Sequence, residues 1–127
     1  MERTPVTHIK TEFGSIRGTS SHHYNPAMIL CDRHATEDAG DCFGLCLAYS
    51  GSFTAMAQKD QRDQIRVQMG INPYQFRWCL TEGETFFAPQ VILSFSNQGF
   101  SKLSHQYHDI LHEHMCRGRI SMSAVQF

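Results

Sequence analysis

Turn signals recur about every ten residues along this chain, and short β-type runs stand between them, many alternating by side. That rhythm leaves little room for long helices and calls for short strands joined by tight turns. The clearest run places Phe43, Leu45, Leu47 and Tyr49 on one side of a strand and Gly44, Cys46 and Ala48 on the other. Ser50-Gly51-Ser52 reads as a turn, and Phe53 to Lys59 as the returning strand of a hairpin. Ile65, Val67 and Met69 then alternate with Gln64, Arg66 and Gln68, a half-buried strand that Gly70-Ile71-Asn72-Pro73 interrupts. Phe76 and Trp78 flank Arg77 before a turn at Glu82-Gly83-Glu84, and Val91, Leu93 and Phe95 alternate with Ile92 and Ser94.

Nearer the N-terminus, residues 5–13 form a weak strand candidate, and Gly14 to Pro26 reads as a loop closing on the Asn25-Pro26 turn. Ala27 to Cys31 is long enough for one buried strand, and Asp32 to Asp41 is polar, with Gly40 as its turn residue. Only the end departs from this rhythm. From Ser101, Leu103, Tyr107, Ile110, Leu111 and Met115 follow the stripe of one helical face. Ser101 is placed as its N-cap and Gly118 as its C-terminal glycine. The expected class is all-β, an antiparallel β-sandwich with one C-terminal α-helix.

The 127 residues amount to one domain. Its 11 Lys and Arg nearly cancel its 12 Asp and Glu. Without a basic stripe a nucleic-acid partner is not expected, and no apolar run approaches the roughly 20 residues that span a bilayer. The N-terminal MERTPVTHIK has no apolar segment of a secretory signal. Of the five cysteines, Cys42 and Cys46 are closest in sequence, but on a strand their positions would lie about 13 Å apart, too far for a disulfide. Reduced, mostly buried thiols and a cytoplasmic location are the expectation.

The candidate chemistry is thin. Glu37, Asp38 and Asp41 share one polar stretch, and Asp60 and Asp63 another, where charged turn residues belong. His105, His108 and His112 share a helix face offset from the apolar stripe, and His22, His23, Asp32 and His34 have no ligand spacing, so no metal or other cofactor is expected. Cys46, inside an apolar strand, reads as an inert thiol. Tyr74, Phe76 and Trp78 alternate as a sugar-stacking platform would, but filling the sandwich core is the favoured reading.

Several segments together resemble the α-galactosidases of glycoside hydrolase family 36. They are Arg17-Gly18-Thr19-Ser20-Ser21-His22 leading to Asn25-Pro26, Thr36-Glu37-Asp38 with Gly40, Tyr49-Ser50-Gly51-Ser52-Phe53, and Arg66-Val67 with Gly70-Ile71-Asn72-Pro73. Thr81-Glu82-Gly83-Glu84-Thr85-Phe86 follows, then Ser96-Asn97-Gln98-Gly99 with Ser104 and Tyr107-His108. Ser52 stands where the family usually has Asn. The resemblance implies part of the β-supersandwich domain that precedes a catalytic (β/α)₈ barrel: residues 1–100 the partial sandwich, 101–118 a helix leading to the barrel, and 119–127 a divergent tail. No position matches the family's Lys-Trp-Asp nucleophile motif, since the one tryptophan reads Arg77-Trp78-Cys79. The resemblance therefore implies a non-catalytic fragment, with no catalytic, substrate-binding or metal residues of its own. Its parent enzyme would hydrolyse α-galactosides with retention, without a metal, and as a homo-oligomer. Ser20, Ser21, His22, Asn25 and Pro26 are the expected contact to the barrel or a neighbouring subunit. The readings from other classes are a free-standing carbohydrate-binding module centred on Trp78 and a metal-binding sensor.

Overall fold

A computed structural model of the protein describes residues 3–116. Six strands and one helix follow in order: β1 (Thr11–Gly14), β2 (Ala27–Cys31), β3 (Cys42–Leu47), β4 (Phe53–Lys59), β5 (Ile65–Ile71), β6 (Val91–Ser96) and α1 (Gly99–Ile110), which runs on as a π-helical turn, Leu111–Met115. The strands form two three-stranded antiparallel sheets, in the orders β1-β4-β5 and β2-β3-β6, matching the all-β sandwich class with a terminal helix. The chain divides into two compact units. One holds the described residues up to Met28 with Leu45–Ile92, the other Ile29–Gly44 with those from Leu93 onward.

In the first unit β4 is the central strand. Its Phe53, Ala55 and Ala57 are buried and stand in register with Ile71, Met69 and Val67 of β5. On the β1 side Phe13 pairs with Ala55 and meets Phe53 edge to face at 6.1 Å. The real hairpin is β4–β5, closed by Asp60, whose carboxylate accepts hydrogen bonds from the backbone N–H of Arg62 (2.7 Å) and Gln64 (2.9 Å).

The expected hairpin between β3 and β4 is therefore corrected. The two strands lie in different sheets, and the residues joining them bond elsewhere: Ala48 N–H donates to the Gln90 carbonyl, and the Ser50 carbonyl accepts from Ser20 N–H. A turn signal such as Ser-Gly-Ser marks a change of direction but not the strand that is met afterwards. Three smaller expectations also shift. The strand sought over 5–13 is regular only from Thr11, because the chain bends at His8 and Ile9, and Ile9 is exposed. Of the Gly70-Ile71-Asn72-Pro73 interruption, Gly70 and Ile71 still belong to β5, which ends before Asn72. Of the five thiols, Cys42 alone is buried, Cys31 and Cys46 are half-buried, and Cys79 and Cys116 are exposed.

In the second unit Ala35, Cys42, Phe100 and Leu103 form the core, with Cys31 and Tyr107 packed against it. The polar 32–41 stretch folds tightly and closes the N-terminus of α1. Its Gly40, Thr36 and Glu37 carbonyls accept hydrogen bonds from the N–H groups of Gly99 (3.0 Å), Phe100 (3.1 Å) and Ser101 (2.9 Å). These are donors that the first turn of a helix cannot satisfy internally. Ser101 is thus not the N-cap. The helix starts at Gly99, and the Ser101 hydroxyl instead reaches the Glu37 carboxylate at 3.3 Å. The apolar stripe of α1 is buried at Leu103, half-buried at Tyr107 and Ile110, and exposed at Leu111 and Met115. Gly118 and the 119–127 tail lie outside the described residues.

Candidate functional site

Ser20 to Pro26, the expected contact surface, occupies the loop between β1 and β2. Its base is tied down by a small polar hub. Ser15 is buried; its hydroxyl donates to the Thr19 carbonyl (2.9 Å) and accepts from Arg17 N–H (3.3 Å). The Ser52 hydroxyl accepts from Gly18 N–H at 2.8 Å. The Asn72 side chain donates to the carbonyls of Ser15 (3.5 Å) and Phe53 (3.3 Å) and accepts from Tyr74 N–H (2.9 Å). Ser15 and Asn72 were not singled out as single residues from the sequence. An Asn directly before Pro73 was the available signal, since such pairs start turns.

Above this base the loop doubles back on itself. Ser21 and Tyr24 exchange backbone hydrogen bonds (3.4 and 3.0 Å), and the His22 and His23 rings meet at 4.3 Å, tilted by 38°. Ser21, His22 and Asn25 are exposed, while Ser20 and Pro26 are half-buried. The result is a loop fixed at its base whose Ser21, His22 and Asn25 side chains are open to solvent.

The aromatic segment does not lie where it was expected. Tyr74 is 59% exposed and Trp78 61%, and neither belongs to a strand or to the core. Trp78 and Phe76 lean on Phe86 at 5.1 and 6.1 Å. The core reading fails because no strand forms over 73–89, so the alternation of Tyr74, Phe76 and Trp78 has no neighbouring strand to pack beneath.

The carboxylates serve turns and caps. Glu37 receives Ser101, Asp60 closes the hairpin, and Asp63 pairs with Lys59 at 2.9 Å, which holds its carboxyl below the usual range. Lys10 and then Thr54 do the same for Glu12, as does the Thr81 backbone N–H for Glu84. Burial raises the Cys46 thiol, against the low pKa that a nucleophile needs. His105, His108 and His112 are exposed, and no group of three or more His, Cys, Asp or Glu is arranged to hold a metal among the described residues.

The family model of the glycosyl hydrolase family 36 N-terminal domain matches residues 1–81. The bifunctional alpha-galactosidase/sucrose kinase AgaSK of Mediterraneibacter gnavus is 50% identical over 119 residues, covering 94% of this chain and 13% of that protein. Alpha-galactosidase AgaA of Geobacillus stearothermophilus is 39% identical over 118 residues, covering 93% of this chain and 16% of its own length. Among solved structures, the galactosidase domain of AgaSK superposes with a TM-score of 0.91 at 50% identity, over 95% of this chain and 17% of that one. An AgaA variant in complex with stachyose gives 0.90 at 38% identity, over 94% and 17%. The chain thus spans less than a fifth of the relatives that it matches. It belongs to glycosyl hydrolase family 36, in the N-terminal domain of that family.

Proposed function

We propose that this chain serves as a non-catalytic β-domain of an α-galactosidase, bracing the part that carries the chemistry through Ser20, Ser21, His22, Asn25 and Pro26. The carrying observation is the loop itself: its base is anchored on Ser15, Ser52 and Asn72, and Ser21, His22 and Asn25 above that base are exposed. The parent activity in this reading is retaining hydrolysis of terminal α-galactosides, which needs two carboxylates about 5–5.5 Å apart. Glu37, Asp60 and Asp63 are engaged as cap, turn and ion pair instead. In the same reading residues 101 onward lead toward the catalytic part, the parent is a homo-oligomer, and the free thiols suit a cytoplasmic setting.

Two experiments test this. The purified chain should release no nitrophenol from a chromogenic α-galactoside; turnover abolished by changing Glu37, Asp38 or Asp41 would relocate the active site. Ser21→Ala with His22→Ala, placed at the matching positions of a full-length relative, should weaken its stability or assembly, and no effect would sink the contact assignment.

The exposure of Trp78 favours a second reading, a carbohydrate-binding module, since an accessible indole can stack on the apolar face of a sugar ring. Galactosides should then quench the single tryptophan, and Trp78→Ala should abolish binding.

A further inference from the structure

The two outer edges of the β1-β4-β5 sheet differ. β1 is four residues long and carries Glu12, with Lys10 paired to it, the short and charged form that protects an edge from adding strands. β5 is seven residues long, runs in unbroken register with β4, and contains no proline, lysine or bulge. Asn72 N–H donates to the Ser52 carbonyl and Asp60 N–H to the Gln64 carbonyl. With Phe53 facing Ile71 and Lys59 facing Ile65, the even-numbered residues of β5 point their backbone groups at β4. Ile65, Val67, Met69 and Ile71 therefore point theirs outward, where no strand of the described residues meets them.

We propose that this edge pairs with a second copy of the chain, β5 against β5, antiparallel about a two-fold axis at Gln68. The strand is self-complementary in that register. Ile65 faces Ile71 of the second copy, Val67 faces Met69, Arg66 faces Gly70, and Gln68 faces Gln68. Apolar residues meet apolar residues, and no like charges are opposed. The four outward residues of each copy exchange about eight backbone hydrogen bonds. The face that carries Phe53, Ala55 and Ala57 continues through Val67, Met69 and Ile71 into the partner, and Ile65, 54% exposed, gains cover. An isologous contact of this kind closes on itself. It stands apart from the proposed enzymatic role and does not depend on it.

The test uses the full chain with the exposed Cys79 and Cys116 replaced by serine. Sedimentation from micromolar to millimolar concentration should show a monomer–dimer equilibrium. Gln68→Lys sets two ammonium groups face to face and should weaken the dimer by about fivefold, with an unchanged β-type circular dichroism spectrum. Gln68 faces itself as a non-hydrogen-bonded pair, which brings the two Cα atoms to about 4.5 Å, within disulfide range. Gln68→Cys should thus form a disulfide-linked dimer under mild oxidation, whereas Arg66→Cys, facing Gly70, should not. A monomer at every concentration, equal cross-linking of the two cysteine variants, or a Gln68→Lys dimer of unchanged affinity would each overturn the proposal.

Discussion

The 35–41 loop with the start of α1 and the 72–90 segment are both irregular and both rich in family-like motifs, yet they are held in opposite ways. The first is saturated. Three helix N–H groups find carbonyls, Ala35 and Phe100 are buried, and Gly40 and Gly99 adopt φ of +100° and +74°. The second is open. Between its anchored ends, Asn72 and Gln90, its hydrogen bonds close local turns at Pro73–Phe76 and Thr81–Glu84, while Trp78, Leu80 and Phe87 are exposed. Two irregular segments of one chain thus differ in how far their polar and apolar groups are satisfied within it.

The contrast is broken most severely at Gly99. A Cβ there would sit 2.4 Å from the Thr36 carbonyl oxygen and 2.5 Å from that of Glu37, with φ in the left-handed region besides. Gly99→Ala is expected to cost about 3 kcal/mol or more, read by urea denaturation. Leu103→Ala should follow closely, at about 3 kcal/mol, because Leu103 is 1% exposed and its removal leaves a cavity under α1.

Asn72→Ala sharpens the comparison from the other side. The base of the open segment is anchored by three hydrogen bonds from one amide, so the loss should be about 1–2 kcal/mol, with the 16–20 loop more accessible to protease. Within the open segment itself Trp78→Ala should move stability by less than about 0.5 kcal/mol. A larger loss would mean that the arm packs against the domain in solution.

The smallest effect is on pH. The carboxyls of Glu12, Asp63 and Glu84 are all held below their ordinary range, so their contribution is present above the unfolded pKa and lost as pH falls through the folded values. All three are exposed, and the acid-side decline that they cause should be shallow and largely removed by salt. Alkaline pH acts through Cys46: burial penalises its thiolate in the fold, so stability falls as the pH rises above the unfolded thiol's value.

Alternation by itself located β3, β5 and β6 to within a residue or two, because a strand half-buried on a sheet writes its two faces into successive side chains; β4 was placed by the turn before it. The helix was legible from its 3.6-residue stripe, and Asp60 and Gly40 from turn chemistry. Of the contact surface, the loop character and exposed polar residues of Ser20 to Pro26 could be read in advance, but the Ser15 and Asn72 hub beneath it could not, since its partners are up to 57 residues apart.

What the sequence alone determined is thus local: the strand periods, the turns, the all-β class and, through its ordered motifs, the family. Tertiary structure alone decided which strands are neighbours, that β3 hands over to another sheet, that Thr36 to Gly40 caps α1, and that Tyr74 and Trp78 face water. The physical reason is the same in each case. Period and turn propensity belong to neighbouring residues, whereas pairing, capping and burial depend on groups that meet only after the chain has folded.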